Sequence, residues 1–384
     1  MSPPMPIVLH VSSDIHDVYD VNKPLVVGRL IDGLASRARN VVISINRTSN
    51  PFAEELHCSG DVWSLRYFSP PHGFLLSYFL GRLTRRIARI LEQAGLRPDI
   101  MVGHKFTVES VVCSRLSPLL GVPYIACFQG NTDCKIFRHK PRYRPLFSAV
   151  ARNARALVFP TPWSQRYFEE RLLTPIGDPA ERRHLIPFIS GEMGPPAQTQ
   201  PQSRHRFVMI CRLDAWRLKN VHRLIEAIAI LRRQTGDDWT LDIVGPGTPE
   251  SHRFIASMID RFELTPSVRL LGSRSRQQID TLLPGYCAMV LPSHPESFGL
   301  VYLEALLQGV PIMCAKGAGF DGFFEAAFPG IVVRHDSVED ITDGLRFLSQ
   351  RSDQLRHRIQ GLGEEFEIFQ RGSIESRFSA LLGL

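Results

Sequence analysis

Two carboxylates lie eight positions apart in the stretch PESFGLVYLEALLQGVP, residues 295–311. Glu296 stands near its start, and Glu304 stands in an apolar run with no polar neighbour that would draw its side chain towards water. A carboxylate in apolar surroundings is costly unless a partner compensates its charge. The pair therefore indicates a binding site for a polar ligand rather than two chance surface acids.

The residues between these carboxylates could hold phosphate. The segment CAMVLPS is predicted as a strand, and SFGLVYLEALLQG as a helix with Gly309 just past its end. The first-turn N–H groups of that helix, which would form an anion site, belong to Ser297, Phe298, Gly299 and Leu300. With helix geometry throughout, Glu296 and Glu304 would lie about 12 Å apart along the axis, the span from a sugar past a diphosphate to a ribose. The spacing fits a nucleotide sugar, which Gly299, lacking a side chain, would allow to approach closely.

Two cations follow an earlier predicted strand. Arg212 ends the strand in CRLDAWRLKN, and Lys219 begins the next helix. At that edge of a sheet they could neutralise the negative charge that develops on a departing diphosphate.

Two glycine-containing turns offer backbone groups near the same predicted edge. VGPGTPE holds Gly245 and Gly247, too few glycines for a dinucleotide fingerprint. The loop Gly272, Ser273 and Arg274 ends another predicted strand and could hold a base through its backbone. Ordinary turn chemistry explains both segments equally well.

Short β-rich runs alternate with helical patterns along the whole chain, which predicts an α/β protein with parallel sheets. Residues 191–206 are rich in Pro, Gly and Gln and are typical of a linker. We therefore predict two Rossmann-like domains facing across a cleft. Their predicted bounds are 1–190 for the N-terminal domain, 191–205 for the linker, 206–368 for the C-terminal domain and 369–384 for a last helix that could cross back to the N-terminal domain.

Composition narrows the functional classes. The 384 residues are 44% hydrophobic and 22% charged, which is typical of a soluble globular protein, and the sequence predicts no membrane-spanning segment and a cytoplasmic location. Seven cysteines without a Cys-x-x-Cys pair argue against cysteine-based metal or redox chemistry. The net charge of +7 indicates an anionic partner or a generally basic proteome, and both remain open. No aromatic-basic motif indicates nucleic-acid binding.

The motifs of the C-terminal half, taken in chain order, resemble those of the family-4 retaining glycosyltransferases of the GT-B fold (glycosyl transferases group 1). The resemblance covers about residues 206–350. The Glu-x7-Glu element at Glu296 and Glu304 is the most specific part. The resemblance implies that Arg212 and Lys219 bind the diphosphate, that Glu296 contacts the donor sugar and that Glu304 binds ribose hydroxyls. It implies that backbone amides of residues 298–300 contact phosphate or sugar, and that Gly245 and residues 272–274 also lie at the donor.

The N-terminal half departs from the family pattern. The glycine-rich loop after the first strand is replaced by SSDIHDVYDVNKP, and CFQGNTD has Gln129 where a histidine is common. The residues at predicted strand ends that could contact an acceptor are Asp14, His104, Gln129, Gly130 and Asn131.

The predicted helix at 74–94 is amphipathic and basic. Seven apolar residues form one stripe, and four arginines lie elsewhere: Arg82, Arg85, Arg86 and Arg89. The helix could rest on a membrane surface or cover the sheet with its apolar stripe. We favour the sheet-covering interpretation because a parallel sheet needs helices on its faces.

The sequence thus predicts a retaining, metal-independent glycosyltransferase without a cofactor. Its donor would be a UDP- or GDP-linked sugar, and its acceptor a hydroxyl of a sugar, lipid-linked or glycoconjugate molecule in polysaccharide, lipopolysaccharide or glycoconjugate biosynthesis. Contact with the inner face of the membrane stays open. The alternatives are a GT-B relative with hydrolase, epimerase or phosphorylase activity, and a non-catalytic sugar-nucleotide-binding protein.

Overall fold

The computed structural model describes residues 5–21, 23, 25–173, 180–189, 196–324 and 327–384. The chain divides into two compact units. Unit 1 comprises Met1–Pro160, Ser164–Gly191 and Ile368–Leu384, and unit 2 comprises Thr161–Trp163 and Glu192–Glu367. Of the predicted linker, residues 191–195 lie outside the described residues. The C-terminal segment belongs to unit 1.

The described part of unit 1 contains an eight-stranded sheet. Its order is β3-β4-β2-β1-β5-β6-β7-β8, and every neighbouring pair is parallel except β3 with β4. The strands are β1 (Ile7–Ser12), β2 (Arg39–Thr48), β3 (Glu55–Ser59), β4 (Val62–Phe68), β5 (Ile100–Gly103), β6 (Tyr124–Cys127), β7 (Ala156–Phe159) and β8 (Arg183–Leu185). The antiparallel edge strand β3 was not predicted from the sequence.

Helices cover both faces of this sheet. They are α1 (Val26–Leu34), α2 (Leu76–Gln93), α3 (Glu109–Leu120), α4 (Asn131–His139), α5 (Arg144–Asn153), α6 (Pro162–Phe168) and, at the chain end, α13 (Arg371–Leu382). Alternate residues of β1 point to opposite faces of the sheet. Leu9 packs into the core on the face that α2 and α3 cover, and Val8 packs into the core on the face that α13 covers. Helix α4 was not predicted.

The described part of unit 2 contains a six-stranded, fully parallel sheet in the order β11-β10-β9-β12-β13-β14. The strands are β9 (Arg206–Ile210), β10 (Thr240–Val244), β11 (Val268–Gly272), β12 (Ala288–Leu291), β13 (Ile312–Ala315) and β14 (Gly330–Val333). This is the 3-2-1-4-5-6 order of the doubly wound Rossmann fold, in which the chain reverses direction between β9 and β12. Ligands of such sheets bind at that reversal, beyond the carboxyl ends of the strands.

The helices of unit 2 are α7 (Val221–Thr235), α8 (Pro249–Arg261), α9 (Arg276–Leu282), α10 (Leu300–Leu307), α11 (Val338–Gln360) and α12 (Gly363–Phe366). The sequence predicted two helices near 337–350 and 352–368 where the single helix α11 runs. Arg356, in its second half, is 2% exposed and donates hydrogen bonds to the carbonyls of Gly309 and Tyr286. These bonds hold the second half of α11 against the sheet.

Short 3₁₀ and π turns complete the described elements. The 3₁₀ segments are Pro71–Gly73, Pro141–Tyr143, Ala180–Arg182, Leu213–Ala215, Leu283–Gly285 and Glu367–Phe369, and Glu169–Leu173 is π-helical. Among the helices of the described ranges, none is long and apolar enough to cross a membrane.

Candidate functional site

An ion pair joins the two sides of the reversal in unit 2. Lys219 follows β9 and Glu296 follows β12, and the Lys219 Nζ lies 2.6 Å from Glu296 Oε2. The two side chains are 21% and 13% exposed, so the pair is largely withdrawn from water but open on one side. The sequence placed Lys219 at the start of a helix, whereas α7 begins two residues later, at Val221. The structure therefore brings together two residues that the sequence assigned to the donor site.

The loop that carries Lys219 is held in place by its neighbour Asn220. This side chain is 2% exposed, and its Nδ2 donates to the carbonyls of Pro292 (2.6 Å) and His335 (2.9 Å). Asn220 has φ 60°, a left-handed conformation that asparagine tolerates better than most residues. The loops that follow β9, β12 and β14 are thereby tied together, and Asn220 was not foreseen as a site residue.

The helix between the two carboxylates begins later than predicted. Helix α10 starts at Leu300, three residues after Ser297, because Gly299 takes φ 75°. A Cβ on Gly299 would lie 2.4 Å from the Tyr302 ring. The Tyr302 ring therefore fills the space that a side chain at position 299 would occupy. Since residues 296–299 are not helical, the 12 Å estimate, which assumed helix geometry, does not apply.

Phe298 belongs to the core of unit 2. Its side chain is 2% exposed and packs edge-on against Phe320, with ring centroids 5.2 Å apart. Only the backbone groups of Phe298 could therefore contact a ligand.

Glu304 is held by an arginine that sequence reasoning missed. Arg276, the first residue of α9, forms an ion pair with Glu304 through Nη1 and a second one with Asp280, 3.1 Å from Nε. The Glu304 side chain is 16% exposed and that of Arg276 is 51% exposed. The compensating partner expected for a carboxylate in apolar surroundings is thus present, on a side chain that is half exposed to solvent.

A glycine-rich loop after β13 touches the same site. In KGAGFDG, residues 316–322, the Gly319 N–H donates to the carbonyl of Glu296 (2.9 Å), and the Gly317 N–H donates to the Asp321 carboxylate (2.7 Å). Sequence reasoning overlooked this loop, although three glycines directly after a predicted strand are a signal for it.

Arg212 lies near the edge but is open to solvent. It stands two residues beyond β9, its side chain is 76% exposed, and its Nη2 lies 3.3 Å from Asp214 Oδ2. Asp214 in turn accepts the Thr248 N–H at the start of α8 (2.7 Å). The guanidinium is therefore aligned by one ion pair and remains accessible to a ligand.

The glycine turns of the donor prediction have a clear packing role. A Cβ on Gly245 would lie 1.8 Å from the carbonyl oxygen of Cys211, and the Gly245 N–H donates to the Gly272 carbonyl (2.9 Å). Gly245 thus lets the ends of β9, β10 and β11 close on one another. Ser273 and Arg274 are exposed just before α9.

Unit 1 carries a similar polar cluster at its own reversal, between β1 and β5. Lys105 Nζ lies 2.6 Å from Asp14 Oδ1 and 2.9 Å from Ser13 Oγ, and the Ser13 N–H donates to Glu109 Oε1 (2.7 Å). Glu109 is fully buried, and this burial raises the pKa of its carboxyl to about 7. Of this cluster, only Asp14 was predicted from the sequence, whereas Lys105 and Glu109 were not.

The remaining predicted acceptor-side residues follow β5 and β6. His104 is 2% exposed and its Nε2 lies 3.0 Å from Nδ1 of His10. Gln129 donates its N–H to the buried Asp133 (3.2 Å), Gly130 precedes α4 with φ 96°, and Asn131 is the first residue of α4. All four candidates thus lie at the carboxyl edge of the unit 1 sheet.

Two family models match the chain. Glycosyl transferases group 1 matches residues 195–365, and the glycosyl transferase 4-like domain matches residues 25–188. This chain belongs to the family-4-like GT-B glycosyltransferases. The resemblance stated from the sequence and the fold of two parallel α/β domains are both confirmed.

Curated relatives match this chain over different lengths. The glycogen synthase of Mycobacterium tuberculosis is 36% identical over 101 residues, 26% of this chain and 24% of that protein. D-inositol 3-phosphate glycosyltransferase of Saccharomonospora viridis is 27% identical over 37% of this chain and 34% of its own. The uncharacterised glycosyltransferase YqgM of Bacillus subtilis is 25% identical over 81% of this chain and 86% of its own. This chain thus spans a quarter to a third of the first two relatives.

Solved structures share the fold of this chain. Sucrose-phosphate synthase from Thermosynechococcus elongatus superposes with a TM-score of 0.71 at 17% identity, covering 98% of each chain. HepE from Anabaena, solved in complex with UDP and glucose, superposes with a TM-score of 0.66 at 18% identity, covering 99% of each chain.

Proposed function

We propose that this chain transfers a sugar from a nucleoside diphosphate sugar to an acceptor hydroxyl with retention of the anomeric configuration. The observation that carries the proposal is the Lys219–Glu296 ion pair at the reversal of the unit 2 sheet, where a doubly wound fold binds its ligand. The complexes of HepE with UDP, and with UDP-glucose, support a UDP-linked donor for this chain.

The roles of the donor-side residues follow from charge and position. Lys219, which is partly exposed, supplies positive charge to the leaving diphosphate, and Arg212 supplies a second, solvent-exposed cation. Glu296 accepts hydrogen bonds from hydroxyls of the donor sugar. Glu304 exchanges its bond with Arg276 for the ribose hydroxyls.

The bond changes balance without a further reactant. The bond between the anomeric carbon and the diphosphate oxygen breaks, the acceptor oxygen bonds to that carbon, and the acceptor proton passes to the leaving diphosphate. Cationic side chains and the first N–H groups of α10 are proposed to stabilise the leaving group without a metal ion. The product class would be a polysaccharide, lipopolysaccharide or other glycoconjugate.

A thermal-shift screen tests the donor part of the proposal, because a ligand of the native state raises its melting temperature. We expect UDP-glucose or another UDP- or GDP-linked sugar to stabilise the wild type and to stabilise Glu304→Gln less. Arg276→Ala is the matched control, since it removes the ion pair but keeps the carboxylate. If no nucleotide or nucleotide sugar shifts the melting temperature, the donor assignment is wrong.

Product analysis then separates transfer from the alternatives. Transfer requires a glycosylated acceptor with the anomeric configuration of the donor. Release of free sugar without any glycosylated acceptor would instead favour a hydrolase. Tight binding with no turnover on a panel of sugar, lipid-linked and glycoconjugate acceptors would favour a binding protein.

Helix α2 combines a buried apolar stripe with an unusual exposed surface. The sheet-covering interpretation is confirmed, because Leu80, Leu83 and Ile87 lie in the core of unit 1. The four arginines of α2 surround a shallow depression beside Glu54 and Tyr67. Arg82 and Arg86 each lie 3.7 Å from Glu54, and Phe74, Leu75 and Tyr78 next to them are 64%, 52% and 57% exposed.

This surface supports contact with an anionic membrane at its inner face, which we propose as the place where a lipid-linked acceptor is met. Arginines attract anionic headgroups, and exposed aromatic residues enter the interface between headgroups and acyl chains. The contact would be made without unpacking α2 from the core.

Vesicle co-sedimentation tests this contact. Wild type should sediment with vesicles that contain phosphatidylglycerol and not with pure phosphatidylcholine, and Arg85→Glu/Arg89→Glu should remain in the supernatant. Arg253→Glu/Arg261→Glu on α8 carries the same change in net charge and should sediment like wild type. Equal behaviour of both double variants would remove α2 from the contact.

A further inference from the structure

A small apolar cavity lies at the carboxyl ends of β5 to β8 in unit 1. Helices α1 and α13 close it, and its walls include Val27, Leu30, Ile189 and Phe378. Two polar residues, His104 and Gln129, face it from the ends of β5 and β6. The cavity therefore sits at the ligand edge of the sheet, and its lining contains no lysine or arginine among the described residues.

The protonation of His104 is fixed by a chain of hydrogen bonds that starts at Asn40. The Asn40 Nδ2 donates to the Ala38 carbonyl (3.0 Å), so its Oδ1 is the atom that meets Nε2 of His10, 3.0 Å away. Because Oδ1 can only accept, His10 carries its proton on Nε2 and a lone pair on Nδ1.

The hydrogen bond between the two rings fixes the position of the proton on His104. Nδ1 of His10 lies 3.0 Å from Nε2 of His104, and the ring planes are within 23° of each other with centroids 5.3 Å apart, an end-to-end arrangement. A lone pair on His10 Nδ1 requires a proton on His104 Nε2. His104 therefore keeps a lone pair on Nδ1, which has no hydrogen-bond partner among the described residues.

Burial keeps both rings neutral. His10 is fully buried, which lowers the pKa of its imidazole to about 4, and burial together with the neighbouring His10 and Lys105 lowers the pKa of His104 well below its ordinary value. A ring of this kind orients a hydroxyl rather than taking its proton away. An anion would find no positive charge in this cavity.

We infer that the cavity is the acceptor subsite: it binds the compact apolar body of a neutral alcohol, whose hydroxyl donates a hydrogen bond to Nδ1 of His104. The acceptor role rests on the proposed glycosyl transfer, but binding of the alcohol does not require a donor. The acceptor is then a neutral hydroxyl compound with an apolar flank rather than a phosphate or carboxylate.

Titration with cyclopentanol and cyclopentanone tests this inference. The two probes share a five-membered ring, but only the alcohol can donate a hydrogen bond. In full-length protein labelled with ¹⁵N-histidine, we expect His104 to carry its proton on Nε2. Cyclopentanol should shift the Nδ1 signal of His104 and bind about tenfold more tightly than cyclopentanone. The signals are identified by their loss in His104→Phe.

Two variants provide controls that need no sugar transfer. His104→Phe keeps a ring in the cavity wall and should bind both probes equally. His10→Phe removes the atom that fixes the tautomer and should lose the preference for the alcohol while retaining His104. Equal affinity of wild type for both probes, or a proton on Nδ1 of His104, would overturn the inference even if sugar transfer were demonstrated. A failed transfer assay would leave the probe result intact.

Discussion

Lys219 and Glu296 lie 77 positions apart in the sequence, yet their side chains meet at 2.6 Å across the reversal of the unit 2 sheet. Lys105 and Asp14 make the same kind of pair, also at 2.6 Å, across the reversal of the unit 1 sheet. Each unit thus places a lysine and a carboxylate where a doubly wound fold binds ligands. Both sheets therefore carry one such ion pair at the point where the strand order reverses.

Removal of the Lys219 or Arg212 charge should slow turnover more than it weakens donor binding, because both cations act on charge that grows in the transition state. We expect Lys219→Ala to lower kcat by about 10²-fold. The effect of Arg212→Ala should be smaller, since that side chain is 76% exposed. Initial rates and calorimetric affinities measure the two quantities, and Lys219→Arg should restore part of the rate. Unchanged turnover in both alanine variants would exclude these residues from the mechanism.

Gly299→Ala should destabilise unit 2 more than Gly317→Ala does. Both glycines have positive φ, 75° and 70°, so both substitutions carry backbone strain of about 1–2 kcal/mol. Only at Gly299 would the new Cβ meet another group, the Tyr302 ring at 2.4 Å, whereas nothing lies within 4 Å at Gly317. We expect an additional loss of about 1–3 kcal/mol in Gly299→Ala. Equal free energies of unfolding in urea would show that the Tyr302 ring yields without cost.

The stability of the protein should depend on pH through Glu109. Burial raises the pKa of its carboxyl from 4.5 to about 7 in the folded state, so the folded protein binds this proton more tightly than the unfolded chain does. The stabilising contribution is therefore present below about pH 4.5 and is lost as the pH rises through about 7. Glu109→Gln keeps the oxygen that accepts the Ser13 N–H and cannot ionise.

Urea unfolding at several pH values measures this contribution. Relative to Glu109→Gln, the wild type should lose stability on the order of 3 kcal/mol between about pH 4.5 and pH 8. Glu92→Gln, which removes an exposed acid of α2, controls for the loss of one formal charge. Parallel stability curves for wild type and Glu109→Gln would mean that the buried carboxyl is not the source of the pH dependence.

The α/β alternation and the choice of Glu296 and Glu304 as site residues could be predicted from the sequence, because both depend on the pattern of neighbouring residues. Periodicity locates most strands and helices, and an acid inside an apolar run stands out wherever the chain folds. The sequence could not predict the start of α10, because that start depends on the left-handed φ of 75° at Gly299, which no local pattern marks. Strand β3 and helix α4 escaped for a related reason, since β3 is largely exposed and α4 contributes few buried side chains.

The ion-pair partners of the site residues could not be predicted either, because they come from distant segments of the chain. Arg276 meets Glu304 from 28 positions away, and Lys105 meets Asp14 from 91 positions away. No local pattern marks these partners, because exposed arginines and lysines occur on many helices. Only the strand order, which brings the loop ends together, identifies them.

The bracketing of one donor by Glu296 and Glu304 is the central claim, and calorimetric titration of UDP and UDP-glucose tests it most directly. Glu304→Gln should weaken both ligands by similar factors, equivalent to about 1.5–3 kcal/mol, because the ribose is common to both. Arg276→Ala should bind both ligands at least as well as Glu304→Gln does, since it keeps the carboxylate. Glu296→Gln should bind UDP nearly as wild type does and weaken UDP-glucose alone. If Glu296→Gln weakens UDP as much as Glu304→Gln does, the two carboxylates do not bracket the donor.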